Sequence, residues 1–300
     1  MNRSNQEATK QGPRKPRLGC VGITASFAGL VLLLTGGGLS QPIAQAASPL
    51  GGVQVIELPD DQGITLAVVN SNRAAVTLTV TVFPENAKAD REMPAVLSVP
   101  GPGQFPLTRL LPLPGAESMS YRLRTDWQFG SLTARHASNT VYELPFESSR
   151  SVRVSQGFHG SFSHTGGNEF AVDFDLPEGT RVLASREGVV DVVVDRFDSG
   201  GTDPALRDRA NFVLVRHPDE TYGEYLHLRK GGAAVRPGDR VRPGTLLGYS
   251  GFTGYAQAPH LHFAVFRAVN GSEREAFPVR FRAREGAAVE PEEGKPLTAP

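Results

Sequence analysis

Alternation of apolar and polar residues in short segments restricts the fold of this 300-residue chain more than any other feature. The clearest segment is AVTLTVTVF, in which Val76, Leu78, Val80 and Val82 alternate with threonines. Alternate residues of a strand share one face, so this pattern predicts a strand with one buried face. Other valine-rich segments lie between turn-forming residues, and the chain has 33 glycines and 23 prolines. The sequence therefore predicts a mainly β fold.

The first 46 residues have the layout of an export signal. Residues 1–17 are basic, the uncharged run LGCVGITASFAGLVLLL follows, and Ala44, Ala46 and Ala47 offer a small-residue cleavage site. We predict a signal peptide over residues 1–46, with an uncleaved N-terminal anchor as the alternative. The protein is expected to be exported to the periplasm or cell envelope, or secreted. Contact with a membrane is expected only through this segment, if it is uncleaved.

Charge and cysteine content exclude several classes of function. Residues 1–46 hold five of the 31 basic and one of the 31 acidic residues, so the remainder has a net charge of about −4. This balance gives no support for a nucleic-acid surface, and we expect no nucleic-acid partner. Cys20 is the single cysteine and lies in the predicted signal segment. The exported protein would therefore have no disulfide and no cysteine nucleophile.

Two β domains are predicted after the signal segment. Residues 47–147 contain short strands separated by turns and are predicted to form a β-sandwich-like N-terminal domain of about seven strands. Polar residues near Phe146 to Ser151 mark the boundary. Residues 148–285 are predicted to form a small antiparallel β domain, in which DSGGTDPALRDRAN is a surface loop beside the site. Residues 286–300 are predicted to be a disordered tail.

Six of the seven histidines lie between residues 159 and 262. In APHLHFAV, His260 and His262 would project from one face of a strand. Asp173 in AVDFD and His227 in YLHL likewise interrupt apolar segments, and His164 lies upstream in SHTGGNEF. An HxH pair alone is only half a metal site, but these five groups exceed the three protein ligands of a catalytic zinc. The surplus histidines would be available to position water and stabilise an oxyanion.

The second predicted domain contains, in this order, the segments HTGGNEFAVDFDLPEGTRVLA, NFVLVRH, YLHL, VRPGDRVRPGTLLGYSG and APHLHFAV. Together these segments resemble the lysostaphin/LytM-type zinc metallopeptidases, which cut peptides of bacterial peptidoglycan. The resemblance covers about residues 152–270 and implies a LytM-type domain of the duplicated hybrid motif fold within residues 148–285. It also implies one Zn²⁺ per chain and peptidoglycan peptides as substrate. By this resemblance His164, Asp173 and His262 would bind the metal, and His227 and His260 would be the catalytic histidines.

Two alternatives accompany this interpretation. The interval between His164 and Asp173 is longer than is usual in the family, which leaves His159 as an alternative first ligand. We favour His164 and expect the extra residues to form a longer loop before the same strand. Family members that have lost their ligands regulate other wall hydrolases, so a non-catalytic envelope regulator is the alternative function. The presence of all five groups favours the endopeptidase. The oligomeric state is not predicted.

Overall fold

A computed structural model describes residues 24–27, 31–33, 51–284 and 286–300. Strands dominate these residues, which confirms the predicted mainly β fold. The two helices in the described part are single turns of 3-10 helix, Gly166–Asn168 and Pro204–Leu206. No described helix has the length and hydropathy needed to cross a membrane. The predicted signal segment lies outside the described residues, apart from the two short strands at 24–27 and 31–33.

Two antiparallel sheets form the N-terminal part. Strands Val76–Glu85 and Ser120–Phe129 form the central pair of the first sheet, and strands Gly63–Asn70 and Gly103–Pro112 form that of the second. The first sheet contains β1 (Thr24–Phe27), β2 (Val31–Leu33), β5 (Val76–Glu85), β7 (Ala95–Val99) and β9 (Ser120–Phe129). The second contains β3 (Val53–Asp60), β4 (Gly63–Asn70), β6 (Ala87–Ala89) and β8 (Gly103–Pro112).

Apolar residues of the two sheets share one core. Val76, Leu78 and Val80 of β5 are fully buried, as their alternation predicts. They belong to the same hydrophobic cluster as Leu66 and Val68 of β4. Two sheets that bury their facing residues against each other form a sandwich, in agreement with the predicted N-terminal architecture.

A nine-stranded sheet forms the centre of the C-terminal part. Its strand order is β19-β14-β16-β17-β22-β12-β11-β26, with β23 paired to β22. Its strands are β11 (Ser151–Gln156), β12 (Val172–Phe174), β14 (Gly188–Val194), β16 (Phe212–Arg216), β17 (Tyr222–Leu226), β19 (Arg240–Val241), β22 (Leu261–Ala268), β23 (Arg274–Ala276) and β26 (Pro296–Thr298).

Three small sheets complete the described structure. They have the orders β13-β20-β18, β10-β24-β25 and β15-β21. Their strands are β10 (Val141–Glu143), β13 (Arg181–Leu183), β15 (Gly200–Gly201), β18 (Leu228–Ala233), β20 (Leu246–Ser250), β21 (Gly254–Tyr255), β24 (Arg280–Arg282) and β25 (Ala288–Val289). Because β10 precedes the predicted boundary and pairs with β24, chain on both sides of that boundary contributes to one sheet. The boundary itself stays a prediction.

The nine-stranded sheet buries residues on both of its faces. Val213 and Val215 of β16 lie in the core of the C-terminal part. Phe212 and Leu214 of the same strand point the other way and lie in the cluster that the N-terminal sandwich forms. This explains why β16 is an almost continuous apolar run and not an alternating one.

The C-terminal residues 286–300 are ordered, so the prediction of a disordered tail is wrong. Strand β25 pairs with β24, and β26 pairs with β11. Leu297 and Ala299 are buried against the C-terminal core. The backbone N–H of Val154 in β11 donates to the carbonyl of Lys295 at 2.9 Å. The charged and proline-rich composition of this segment gave no indication that Leu297 and Ala299 would pack against the core. Pairing with β26 covers an edge of β11 that would otherwise be unpaired.

His217 follows β16 and is buried near the join between the two parts. Its Nδ1–H donates to the carbonyl of Glu187 at 2.8 Å, and its ring packs edge-on against Tyr142 at 5.9 Å. Its Nε2 has no hydrogen-bond partner within the described chain. Burial lowers the pKa of His217 to about 4, so the ring stays neutral in the folded protein at neutral pH.

The buried His217 is expected to make the protein acid-sensitive. Its pKa is about 6.5 when unfolded and about 4 when folded, so between these values the unfolded chain binds more protons. Stability from this group is present above pH 6.5 and lost as the pH falls towards 4. Between pH 7 and 5 the loss is about 2 kcal/mol. Urea unfolding with EDTA, at both pH values, should show that the wild type loses about this much more than His217→Gln; equal losses would contradict it.

Candidate metal centre

Three side chains from two elements and one loop converge at one end of the nine-stranded sheet. Asp173 in β12 lies directly opposite His262 in β22, so their side chains share one face of the sheet. His164 lies in the loop before β12. One atom of each of these residues lies within 4.8 Å of the others, and all three residues are buried. The structure thus brings together the three residues predicted as metal ligands.

One oxygen of Asp173 faces both imidazoles. Its Oδ1 lies 3.1 Å from Nε2 of His164 and 2.9 Å from Nδ1 of His262. The Nδ1–H of His164 donates to the backbone carbonyl of Gly157 at 2.8 Å. That hydrogen bond fixes the tautomer of His164 and leaves Nε2 with a lone pair that points towards Asp173.

The charge states of these groups suit metal binding. Burial alone would raise the pKa of the Asp173 carboxyl, but the imidazoles around it outweigh burial and hold that pKa well below its usual range. Burial lowers the pKa of His262. At neutral pH the site therefore holds a carboxylate and a neutral imidazole, and these are the protonation states that coordinate a metal.

His227 and His260 form a second pair beside this cluster. Their ring centroids are 4.5 Å apart. The Nδ1–H of His227 donates to the carbonyl of Thr253 at 2.6 Å, and that of His260 donates to the carbonyl of Ala258 at 2.8 Å. Both rings therefore carry their lone pair on Nε2, and Nε2 of His260 lies 3.8 Å from Oδ1 of Asp173.

His227 is not part of a strand, contrary to the expectation for YLHL. Strand β17 ends at Leu226, and His227 has a φ of 64° in the left-handed region. Such a conformation is unfavourable for a residue with a Cβ, by about 1–3 kcal/mol, and is common at functional sites. It directs the imidazole towards the carbonyl of Thr253. Burial lowers the pKa of His227 to about 3, so the ring is neutral at neutral pH.

His159, the alternative first ligand, lies apart from the cluster. Its ring packs edge-on against Phe170, with centroids 5.0 Å apart. The interval between His164 and Asp173 contains the 3-10 turn Gly166–Asn168, which accounts for the longer spacing. The structure therefore brings His164, and not His159, to Asp173.

A groove opens beside the five groups. Asp173, His227, His260 and His262 line it. Phe162 stacks on Tyr255 with ring centroids 5.7 Å apart, and the guanidinium of Arg207 lies over the same ring. Arg207 and Ala210 belong to the segment 198–211, which was predicted as a loop beside the site. The groove thus places aromatic and cationic side chains next to the polar cluster.

A buried ion pair that was not predicted from the sequence lies behind His262. Oε2 of Glu224 accepts from Arg274 at 2.8 Å, and Nε of Arg274 donates to Oδ1 of Asn168 at 2.8 Å. Glu224 is fully buried and Arg274 nearly so. The signal that identified Asp173, a charged residue inside an apolar strand, also applies to Glu224 in TYGEYLHL.

The donor set fits zinc. Two imidazole nitrogens and one carboxylate oxygen are the usual ligand types of catalytic zinc, which keeps a fourth position open. The three donor atoms converge on one volume, and the groove adjoins them. Thiolates are absent from the described residues, and oxygen-rich sites of the calcium type need more carboxylates than this cluster offers.

Comparison with known proteins finds a family model that matches the part of the chain holding most of the cluster. Residues 167–275 match the model of peptidase family M23. The match includes Asp173, His227, His260 and His262 and begins three residues after His164. Glycyl-glycine endopeptidase ALE-1 of Staphylococcus capitis is 38% identical over 98 residues, which are 33% of this chain and 24% of that protein.

A second relative and one solved structure are also similar to part of this chain. Peptidoglycan DD-endopeptidase ShyA of Vibrio cholerae is 29% identical over 153 residues, which are 50% of this chain and 32% of that protein. The catalytic domain of lysostaphin from Staphylococcus simulans aligns at 24% identity, over 42% of this chain and 87% of that domain, with a TM-score of 0.29. The chain therefore spans about a quarter to a third of the curated relatives' lengths.

Proposed function

We propose that the protein is an exported zinc-dependent endopeptidase that hydrolyses peptide bonds in peptidoglycan, because residues 167–275 match the model of peptidase family M23. Two relatives are named as endopeptidases, and one name specifies peptidoglycan. The observation that carries the proposal is the convergence of His164, Asp173 and His262 beside a groove that also contains two further histidines. The division into residues 47–147 and 148–285 is part of this proposal.

We assign the metal to three atoms: Nε2 of His164, Oδ1 of Asp173 and Nδ1 of His262. Zinc, when bound, would polarise the scissile carbonyl and lower the pKa of a water molecule towards 7. Burial keeps the imidazole of His262 neutral at neutral pH, and the carboxylate of Asp173 supplies the negative charge that a dication favours. The narrow spacing of the donors restricts the site to one ion per chain.

His227 and His260 would accept and transfer the proton of the attacking water. Each ring has its Nδ1–H held by a backbone carbonyl and presents Nε2 to the groove. An unprotonated Nε2 can accept a hydrogen bond from the attacking water and take its proton, and the resulting imidazolium can donate to the tetrahedral oxyanion or the leaving amine. The fixed ring orientations mean that little reorganisation accompanies this transfer.

A non-catalytic regulator of other wall hydrolases is the weaker candidate. Such a protein has no need for converging metal donors or for two additional imidazoles with fixed tautomers. All five groups are present, and four of them line one groove. The arrangement therefore favours the enzyme.

The proposal is tested by metal content and by peptide release. Elemental analysis of the purified full chain should find about one zinc per chain, and incubation with peptidoglycan should release peptides with new amino termini. His262→Ala should lose both the zinc and the cleavage. His159→Ala is the matched control, since His159 lies outside the cluster, and it should retain both.

Each outcome has a distinct meaning. Zinc and new peptide ends in the wild type, absent in His262→Ala, would support the endopeptidase and would identify the bond that is cut. A wild type without zinc would overturn the proposal. Zinc without any cleavage of peptidoglycan would favour the regulator.

A further inference from the structure

The four histidines of the site differ in how their second ring nitrogen is held. In His164, His227 and His260 the Nδ1–H donates to a backbone carbonyl, which fixes the tautomer and the ring plane. In His262 the Nδ1 faces Asp173, so Nε2 is the nitrogen that must carry the proton when Nδ1 binds a metal. His262 therefore needs an acceptor at Nε2, and no backbone carbonyl within the described chain supplies one.

Glu224 is the group that faces this nitrogen. Its Oε2 lies 3.9 Å from Nε2 of His262, and both side chains are almost completely buried. Neither Nε2 of His262 nor Oε1 of Glu224 has a hydrogen-bond partner among the described residues. Nε2 of His262 and Oε2 of Glu224 would need to approach by about 1 Å to reach hydrogen-bond distance. The buried N–H of His262 costs free energy while it is unpaired, so this approach is favourable.

The carboxylate of Glu224 is held in place from its other side. Arg274 donates to Oε2 of Glu224, and its guanidinium lies over the ring of Phe266, 4.5 Å from the centroid. Arg274 also donates to Asn168 in the loop that carries His164. The ion pair compensates the buried charge of Glu224 and connects it to two of the three ligand-bearing segments.

The hairpin that carries Arg274 is itself fixed by the N-terminal sandwich. Nε2 of Gln128 in β9 donates to the carbonyls of Asn270 and Glu273, at 2.6 Å each. The backbone N–H of Gly271 donates to the hydroxyl of Thr79 in β5 at 2.9 Å. The position of Arg274, and through it of Glu224, therefore depends on contacts between the two parts of the protein.

We propose that Glu224 is a positioning residue for the metal: it accepts the Nε2–H of His262 and so fixes the tautomer that presents Nδ1 to the ion. This inference rests on the proposed function, because it assumes that His262 binds a metal. Groups that hydrogen-bond a metal-ligating histidine orient the ring and raise its basicity, and their loss costs about 10- to 100-fold in metal affinity.

The test removes the acceptor without leaving a lone buried charge. Glu224→Leu alone would leave the buried charge of Arg274 without its partner and so destabilise the fold. Replacing both partners of a buried ion pair by apolar residues is often neutral for stability. The double variant Glu224→Leu/Arg274→Leu is therefore the main variant. Glu224→Gln is the conservative one, since its amide oxygen can accept from both His262 and Arg274.

Two measurements on the full chain report on the metal site directly. Competition with a chromogenic chelator gives the zinc affinity, and the visible absorption of Co²⁺-substituted protein reports the ligand geometry. The double variant should bind zinc about 10- to 100-fold more weakly and show a changed Co²⁺ spectrum. Glu224→Gln should stay within a few-fold of the wild type and keep its spectrum.

A second ion pair, with a buried carboxylate and a partly exposed arginine, provides the control. Asp191 and Arg216 pair at 2.7 Å on neighbouring strands of the same sheet, and neither belongs to the metal cluster. Asp191→Leu/Arg216→Leu should leave zinc affinity unchanged. Wild-type affinity in the Glu224 double variant, or a loss in Glu224→Gln as large as in the double variant, would overturn the inference alone. A wild type that binds no zinc would overturn the proposed function and this inference with it.

Discussion

Replacing His227 with alanine is expected to lower kcat for peptide cleavage by about 10²- to 10⁴-fold, which is the usual contribution of a general acid or base. The same variant should retain about one zinc per chain, because His227 is not among the converging donors. This combination would distinguish a proton-transferring histidine from a ligand. Zinc content by elemental analysis and kcat on a purified muropeptide are the two measurements.

The conformation of His227 calls for a second variant. Its φ of 64° is unfavourable for alanine, so part of any effect of His227→Ala could come from a changed backbone. Asparagine tolerates the left-handed region, and His227→Asn therefore removes the imidazole while keeping the turn. Both variants should lose cleavage and keep zinc. Metal loss in both, to the degree seen in His262→Ala, would show that His227 is a ligand and that the assigned roles are wrong.

Replacing Asp173 with asparagine is expected to weaken zinc binding by about a thousandfold or more, equivalent to about 4 kcal/mol. The substitution keeps the shape of the side chain and removes the single negative charge among the three donors. Because Oδ1 lies between the nitrogens of His164 and His262, a neutral amide there would leave a dication with neutral ligands in a buried site. Chelator competition measures the loss.

Asp175 offers a matched control two residues further along the chain. Its side chain is 44% exposed, lines the same groove and pairs with Arg153 at 3.3 Å. Asp175→Asn removes the same charge at a similar place without touching the cluster, and zinc affinity should stay within a few-fold of the wild type. If Asp173→Asn also stayed within tenfold, Asp173 would not be a ligand of the metal.

Much of the site was visible in the sequence because its residues break local patterns. Asp173 and His262 stand in short apolar strands, and a strand places such residues on one face whatever the rest of the fold does. Their mutual position follows from one antiparallel pairing between β12 and β22. Glu224 breaks the pattern of β17 in the same way, but its meaning depends on Arg274, which is 50 residues away.

Features that depend on distant partners could not be predicted. The left-handed turn at His227 is stabilised by the carbonyl of Thr253, 26 residues further along. The ordering of residues 286–300 depends on the edge that β11 leaves open, which composition does not reveal. Likewise, the alternation in β5 predicted a buried face but gave no indication that the sandwich would also cover one side of the nine-stranded sheet.

The apolar residues that point from the nine-stranded sheet into the N-terminal cluster limit how access to the groove could be controlled. Phe212, Leu214, Tyr222 and Phe266 are all nearly or fully buried there. Two units of one chain are expected to move relative to each other unless their interface is large and hydrophobic. A rigid-body rotation of the sandwich away from the sheet would expose these side chains to water and disrupt the continuous core. The sandwich therefore acts as a fixed support for the sheet that carries His262.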